Sequence, residues 1–314
     1  MNQPLEIAPS DTVDPAALRS LAARTIVFLY ARYLAQELVF REKKGLEVLF
    51  LKSYLSHLFT PEGKIVRVGW EGYSQRLALI IEELRVSPKS LRILDAGCGY
   101  GTESLLFSFF PSQVCGVDLV TERIAQARSR IDFFQSLSKR PLDVTFVNAN
   151  IFRFLEVSPP FDIIWALEAI SHIYPPEKFF HLCREKLKDG GKLIVSDPNE
   201  LNPLAFIRSM RIRGGIVHKP HQKFSDPETR RPVDVGQEKI FNIFRIRKLL
   251  EASGFQIKAI DISGFMGSSV LPKSFLLKDK AAGLLGRYQR IAQRIPILRS
   301  LGSIYTLVAT KRNS

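Results

Sequence analysis

The chain has 314 residues, of which 46% are apolar and 24% charged, with a formal net charge of +14. That length holds one large domain with additions or two smaller ones, and the composition excludes a disordered or fibrous chain. The surplus of positive charge favours an acidic partner, whether an anionic membrane surface, nucleic acid or an acidic substrate, without choosing among them.

In chain order, the first residues, MNQPLEIAPSDTVD, are polar and acidic and carry no secretory signal pattern. Residues 15 to 60 read as helical. The apolar window AARTIVFLYARYLAQELVF is interrupted by Arg24, Arg32 and Glu37, which leaves it short of a membrane span. A further helix runs from about Tyr73, with Leu77, Ile80, Ile81 and Leu84 at helical spacing. From Leu91 the pattern changes to short apolar strands at 91–96, 113–118, 144–149, 161–167 and 191–197. Helices are expected near 101–110, 121–136 and 176–188. Such alternation implies a parallel sheet covered on both faces. Beyond Asp197 a Pro-, Arg- and His-containing stretch (199–240) precedes the helix RIRKLLEASGF, a strand at 255–262, a basic helical insert and a last strand at 303–310. Cys98, Cys115 and Cys183 are widely spaced with no C-x-x-C pair, which argues against disulfides or zinc and for a reducing compartment. The expectation is a cytoplasmic protein, with peripheral attachment to the inner membrane surface left open.

The stretch LRILDAGCGYGTES joins a strand to a helix through Gly97, Gly99 and Gly101. Glycine lets backbone come against a ligand without a Cβ in the way, and the following helix offers free N–H groups. Dinucleotide binders use G-x-G-x-x-G, whereas Thr102 fills the third glycine's place here, which argues against NAD. Asp118 ends the next strand, where a carboxylate can accept both ribose hydroxyls of an adenosine ligand. NANI (148–151) follows the third strand, and LKDGGKLIVSD leads into the fifth.

Together these motifs resemble the class I S-adenosylmethionine-dependent methyltransferases, nearest to the group containing the ubiquinone and menaquinone biosynthesis methyltransferases. The resemblance covers roughly Leu91 to Pro198. It implies an α/β, Rossmann-like fold: a seven-stranded, mostly parallel sheet with helices on both faces and the last strand antiparallel. A helical N-terminal extension (1–72) would precede the methyltransferase domain (73–314). That domain would comprise a cofactor-binding core (91–198), an acceptor-side insert (199–243) and a basic helical insert (263–302). The implied cofactor is S-adenosyl-L-methionine. Asp95 would buttress the loop beside the methionine amino group, and Gly97, Cys98, Gly99 and Gly101 would approach the methionine part. Asp118 with Leu119 would hold the ribose, Asn150 with Ile151 the adenine, and Ala166 with Leu167 would border the sulfonium. The family more often carries Asp where Asn150 stands.

For chemistry, ALEAISHIYPP offers His172 and Glu168 as catalytic candidates. The related quinone methyltransferases often carry Glu-His there, and Ser171 stands in place of that Glu. Either residue also reads as a turn cap or a cofactor contact. Cys98 reads as a small loop residue and not a nucleophile. His218 and His221 with Asp226 read as a solvated loop, so no metal is expected. Asp197, Asn199 and Glu200 lie at the rim of the expected pocket, as acceptor contacts or turn formers. From Lys273 onward nine basic residues face the single Asp279, so this stretch carries +8 of the +14. Leu284, Tyr288, Ile291 and Ile295 form one helical stripe there, and Arg287, Arg290 and Arg294 another. The stripe either packs on the sheet or lies on anionic lipid. The reading is methyl transfer to a small-molecule or lipid-like acceptor at oxygen or carbon. The rivals are a methyltransferase for RNA or protein, disfavoured by the lack of an appended nucleic-acid-binding module, and a cofactor-binding regulatory protein without transfer activity.

Overall fold

The computed structural model describes residues 15–60, 63, 65–203, 222–235, 241–264, 287–288 and 291–312. Helices α1 (Pro15–Ser20), α2 (Ala23–Lys43), α3 (Leu49–Leu55) and α4 (Arg67–Val86) come first. In α2 the buried positions Ile26, Val27, Tyr30, Ala31 and Leu34 recur at helical spacing; in α4, Leu77, Ile80, Ile81 and Leu84 do the same. These two stripes pack against each other and onto the sheet.

Strand and helix then alternate through β1 (Leu91–Ala96), α5 (Thr102–Ser108), β2 (Ser112–Asp118), α6 (Thr121–Ser136), β3 (Val144–Asn148), α7 (Ile151–Val157) and β4 (Phe161–Leu167). A single 3-10 turn (Ile170–His172), α8 (Pro176–Lys186) and β5 (Leu187–Pro198) follow. A hairpin of β6 (Gln222–Ser225) and β7 (Pro232–Val235) stands apart. The chain closes with α9 (Ile243–Ala252), β8 (Phe255–Ser263), α10 (Pro296–Arg299) and β9 (Ile304–Lys311). Asn242 caps α9 by accepting from the Arg245 N–H at 2.9 Å.

Seven strands form one sheet in the order β3–β2–β1–β4–β5–β9–β8. Strands β1 to β5 pair in parallel, while β9 runs antiparallel to both of its neighbours, β5 and β8. This is the Rossmann-like sheet expected, with the last strand reversed. Alternate residues feed two cores. Ile93, Val114, Trp165, Ile194 and Val308 face α2, α4, α5 and α6; Leu94, Ala166, Val195 and Leu307 face α7, α8 and α9. The connections from β1 and β4 leave in opposite directions, which opens a crevice beyond the carboxyl ends of those two strands.

Several boundaries differ from the sequence expectation. The helix expected from about Tyr73 begins at Arg67, so a division after residue 72 runs through α4. Gly69 sits inside that helix because a Cβ there would stand 1.8 Å from the His57 carbonyl oxygen, so only glycine admits the close approach of α3's end. Strand β5 begins at Leu187, four residues before the expected start, and carries the Gly190–Gly191 pair within it. Helix α7 and the β6–β7 hairpin were not anticipated. No helix among the described residues is long and apolar enough to cross a membrane.

Candidate active site

The end of β1 and the turn into α5 bring backbone and carboxylate together. Gly97, Gly99 and Gly101 all adopt positive φ, at 77°, 53° and 72°. At Gly101 a Cβ would meet the Phe146 ring at 2.4 Å, so both conformation and space require glycine. Around Gly99 a Cβ would meet nothing within 4 Å, so the loop there presents bare backbone to open space. The Gly99 N–H donates to Asp118 Oδ2 at 2.9 Å, and Val120 N–H donates to Asp118 Oδ1 at 2.8 Å. One lone pair of each carboxylate oxygen thereby fixes the loop, and one on each is left for a ligand. Arg123 Nη1 lies 4.0 Å from the same carboxylate.

Asp95 is buried beneath the loop and accepts from Ser104 Oγ at 2.6 Å. Burial, and then the neighbouring Glu103, push its carboxyl from the ordinary 3.8 up to about 8. Cys98 turns its Sγ inward, 2.9 Å from where a Gly116 Cβ would stand, and burial pushes its thiol well above the ordinary range. A buried thiol held in its protonated form is a poor nucleophile. Leu119 is half-buried beside Asp118. Asn150 caps α7, its side-chain oxygen accepting from Phe152 N–H at 3.0 Å, and Ile151 follows as the first helical residue. One acceptor lone pair of that amide is therefore committed to the helix, and its N–H groups are the better placed to meet a base. Asn148, two residues earlier, ties β3 to β2 by donating to the carbonyls of Asp118 and Leu119.

At the end of β4, Ala166 is buried and Leu167 partly so. Glu168 follows with φ 49°, a left-handed conformation that a non-glycine residue adopts at a cost of about 1 kcal/mol or more. Its carboxylate pairs with Arg76 of α4, which holds it below the usual range, with His172 and His57 adding to the effect. A Cβ on Gly97 would stand 2.8 Å from Ala169 Cβ, so the turn bearing Glu168 and His172 packs directly on the glycine loop. Asp197, at the end of β5, is buried; burial, followed by the charge of Glu168, raises its carboxyl to about 8. Its Oδ2 accepts from the Ile170 N–H at 3.3 Å, which supports the turn that carries His172.

Sequence reasoning left Asn199 open as an acceptor contact or a turn former. The structure gives the second: it is buried, with Nδ2 donating to the Ser300 and Gly302 carbonyls at 2.7 and 2.8 Å. Asp226 receives the N–H groups of Glu228 and Thr229 in the β6–β7 turn, while His218 and His221 lie outside the described residues. No cluster among the described residues could hold a metal ion, and all three cysteines are free. Arg76 was missed because it lies in α4, far from any motif, on a helix whose apolar stripe alone was legible.

A family model described as a methyltransferase domain matches residues 70–260. The chain belongs to that family. It is a class I S-adenosylmethionine-dependent methyltransferase. The mitochondrial ubiquinone biosynthesis O-methyltransferase of Homo sapiens is 26% identical over 176 residues, covering 54% of this chain and 42% of that protein. The ubiquinone biosynthesis O-methyltransferase of Cereibacter sphaeroides is 29% identical over 118 residues, 38% of this chain and 45% of that one. The chain thus spans less than half the length of these curated relatives. Among solved structures, the [4+2]-cyclase SpnF is 20% identical with a TM-score of 0.47, covering 78% of this chain and 83% of that one. A Haemonchus contortus phosphoethanolamine N-methyltransferase in complex with S-adenosyl-L-methionine is 21% identical with a TM-score of 0.46, covering 77% of this methyltransferase and 53% of that chain. Open space at Gly99 and acceptor capacity left on Asp118 are the chemistry that a ligand carrying a ribose and an ammonium requires.

Proposed function

We propose that this methyltransferase acts on a small-molecule or lipid-like acceptor at an oxygen or carbon atom. The observation that carries the reading is the packing of Ala169 on Gly97, which brings the turn that bears Glu168 and His172 to the cofactor loop. When bound, the cofactor supplies a methyl group on an already activated sulfur leaving group. Gly97, Gly99 and Gly101, with the backbone of Cys98, would line the methionine part, and Asp95 would face its ammonium. Asp118 and Leu119 would hold the ribose; Asn150 and Ile151 would hold the adenine; Ala166 and Leu167 would border the reacting centre.

Alignment of the two reactants in a shielded crevice does most of the work of a displacement with so good a leaving group. If the acceptor is a hydroxyl, its proton must leave, and the His172 imidazole is the base placed to take it. Glu168 is held ionised by Arg76, which suits it to orienting His172 or the acceptor more than to accepting the proton. The names of the human and Cereibacter relatives, both ubiquinone biosynthesis O-methyltransferases, support an oxygen acceptor on an apolar ring compound.

The lipid-like side of the reading has its own support. Ile291 and Ile295 are 56% and 42% exposed, and Tyr288 is exposed with them, so the described part of the stripe faces outward while Ala292 and Leu298 pack inward. Leu284 and Arg290 of the two stripes lie outside the described residues. Because β9 runs antiparallel, it begins at the carboxyl end of β5, the same end of the sheet at which Glu168 follows β4, and exposed Arg287, Arg294 and Arg299 precede it in the chain. Basic and apolar groups at the mouth suit an anionic bilayer from which an acceptor is drawn.

The test is incubation with methyl-labelled cofactor and fractionated cell extract. Label in the organic-soluble fraction is expected; label confined to RNA or protein would overturn the acceptor assignment. Flotation with anionic but not neutral vesicles, lost in R287E/R294E, is expected for the surface; retention by that variant would remove it.

A further inference from the structure

We propose that Glu37 and Arg130 are positioning residues for the cofactor loop, through which the N-terminal helices α2 and α3 set the affinity for S-adenosylmethionine. This rests on the reading above that the glycine loop holds the cofactor. Both side chains are fully buried, 93 positions apart, and they meet as a two-pronged pair: Arg130 Nε and Nη2 each donate to a Glu37 carboxylate oxygen at 2.8 Å. That clamp fixes the guanidinium plane. The remaining nitrogen, Nη1, donates to the Tyr100 carbonyl at 2.7 Å and to Thr102 Oγ1 at 2.9 Å. Arg130 therefore grips the loop on both sides of Gly101.

The rest of the N-terminal helices converge on the same four residues. Tyr30 of α2 donates its hydroxyl to the Thr102 carbonyl. Phe50 of α3 stacks on Tyr100 with ring centroids 4.5 Å apart and planes 13° from parallel. Tyr54 donates to Glu103 Oε1 at 3.0 Å. The Arg130 guanidinium also lies over the Phe50 ring at 5.3 Å, so one side chain touches α2, α3 and the loop. Thr102, the residue that departs from the dinucleotide pattern, is thus the loop's attachment point to the helical cap.

A fully buried ion pair is a poor source of net stability, since apolar replacement of both partners is often neutral or favourable. What an apolar pair cannot supply is a donor aimed at Tyr100 O and Thr102 Oγ1. The pair's distinct contribution is then the shape of the loop. Linkage makes the effect reciprocal: if docked α2 and α3 favour the binding shape, bound cofactor favours the docked helices.

The variants E37Q, E37L/R130M and T102V separate shape from stability. E37Q strands Arg130 and is expected to lower both the melting temperature and the affinity for S-adenosylhomocysteine. In E37L/R130M the melting temperature is expected to recover only part of the E37Q loss, because Arg41, 3.8 Å from Glu37, also loses that carboxylate, while affinity stays at least about tenfold weaker because the loop has lost its charged donor. Recovery of affinity together with stability would overturn the proposal. Should the double variant not fold, T102V removes only the hydroxyl that Arg130 grips; it is expected to raise KM for the cofactor far more than it lowers kcat, and an unchanged KM overturns the proposal. Hydrogen exchange in α2 and α3 is expected to slow when S-adenosylhomocysteine binds wild type; unchanged exchange there counts against the coupling. If wild type binds S-adenosylhomocysteine but D118A binds it equally well, the loop assignment itself has failed, and this proposal with it.

Discussion

Replacing Asp95 with asparagine should flatten the pH dependence of stability in a way that can be worked out in advance. The Asp95 carboxyl is raised from 3.8 to about 8, chiefly by burial and then by Glu103. Between those values the folded chain keeps a proton that the unfolded chain has released. The unfolded state therefore binds fewer protons, and stability falls as pH rises across that window, levelling off above the folded value. One such group costs about 1.4 kcal/mol per pH unit. From pH 6 to pH 8 wild type should lose about 2 kcal/mol through Asp95 alone, less than the full slope because titration is half complete at the upper end.

Asparagine has nearly the same shape, still accepts from Ser104 Oγ through its carbonyl, and carries no titrating proton. Asp197 titrates in both proteins, so the difference between them reports Asp95 together with its coupling to Glu103 and Cys98. The assay is urea unfolding of both proteins at pH 6, 7 and 8 without cofactor. D95N should gain on wild type as pH rises, by about 2 kcal/mol over the range. A difference that stays constant from pH 6 to pH 8 would refute the reasoning, because it would mean that Asp95 is ionised throughout.

Three further outcomes are expected. D118A removes the acceptor for Gly99 N–H and for a ribose, and should weaken S-adenosylhomocysteine binding about ten- to a hundredfold by calorimetry; an unchanged Kd would show the assignment is misplaced. G99A, with nothing near its Cβ, should lower stability by about 1 kcal/mol for its left-handed backbone while losing most cofactor affinity, whereas G101A should also lose several degrees of melting temperature against the Phe146 ring. H172A should lower kcat by about a hundredfold or more if the acceptor is a hydroxyl. E168Q should lower activity without changing the shape of the pH–rate profile, since Arg76 already holds Glu168 ionised; loss in E168Q of an acidic limb that wild type shows would contradict that assignment.

The parts of the fold legible in sequence were those set by local rules. Strands 161–167 and helix 121–136 fell where period and composition place them, and the glycine loop with Asp118 announced the crevice. The misplacements have physical causes. The helix expected from about Tyr73 begins at Arg67 and runs through Gly69 and Gly72, because the chain beyond α3 packs on bare backbone at Gly69. Gly190–Gly191 read as a turn, yet β5 continues through it, with a register shift opposite Phe161 and Ile163. Glu37 read only as a charge that spoils an apolar window. Its partner lies 93 positions away, and no local pattern joins them.

The same limit applies to charge. A net +14 suggests a molecule built to meet anions, and Arg287 and Arg294 are exposed to solvent. Around the glycine loop the interior is the reverse: Asp95, Glu103, Asp118 and Asp197 are buried near the strand ends, and burial raises the carboxyls of Asp95, Glu103 and Asp197. Burial outweighs the nearby cations in each case, since Arg130 and Arg76 act on Glu103, and Arg76 on Asp197, without reversing the rise. Composition averages all of this into one number, whereas the fold buries these acids together with Arg41 and Arg130 and leaves Arg287 and Arg294 exposed.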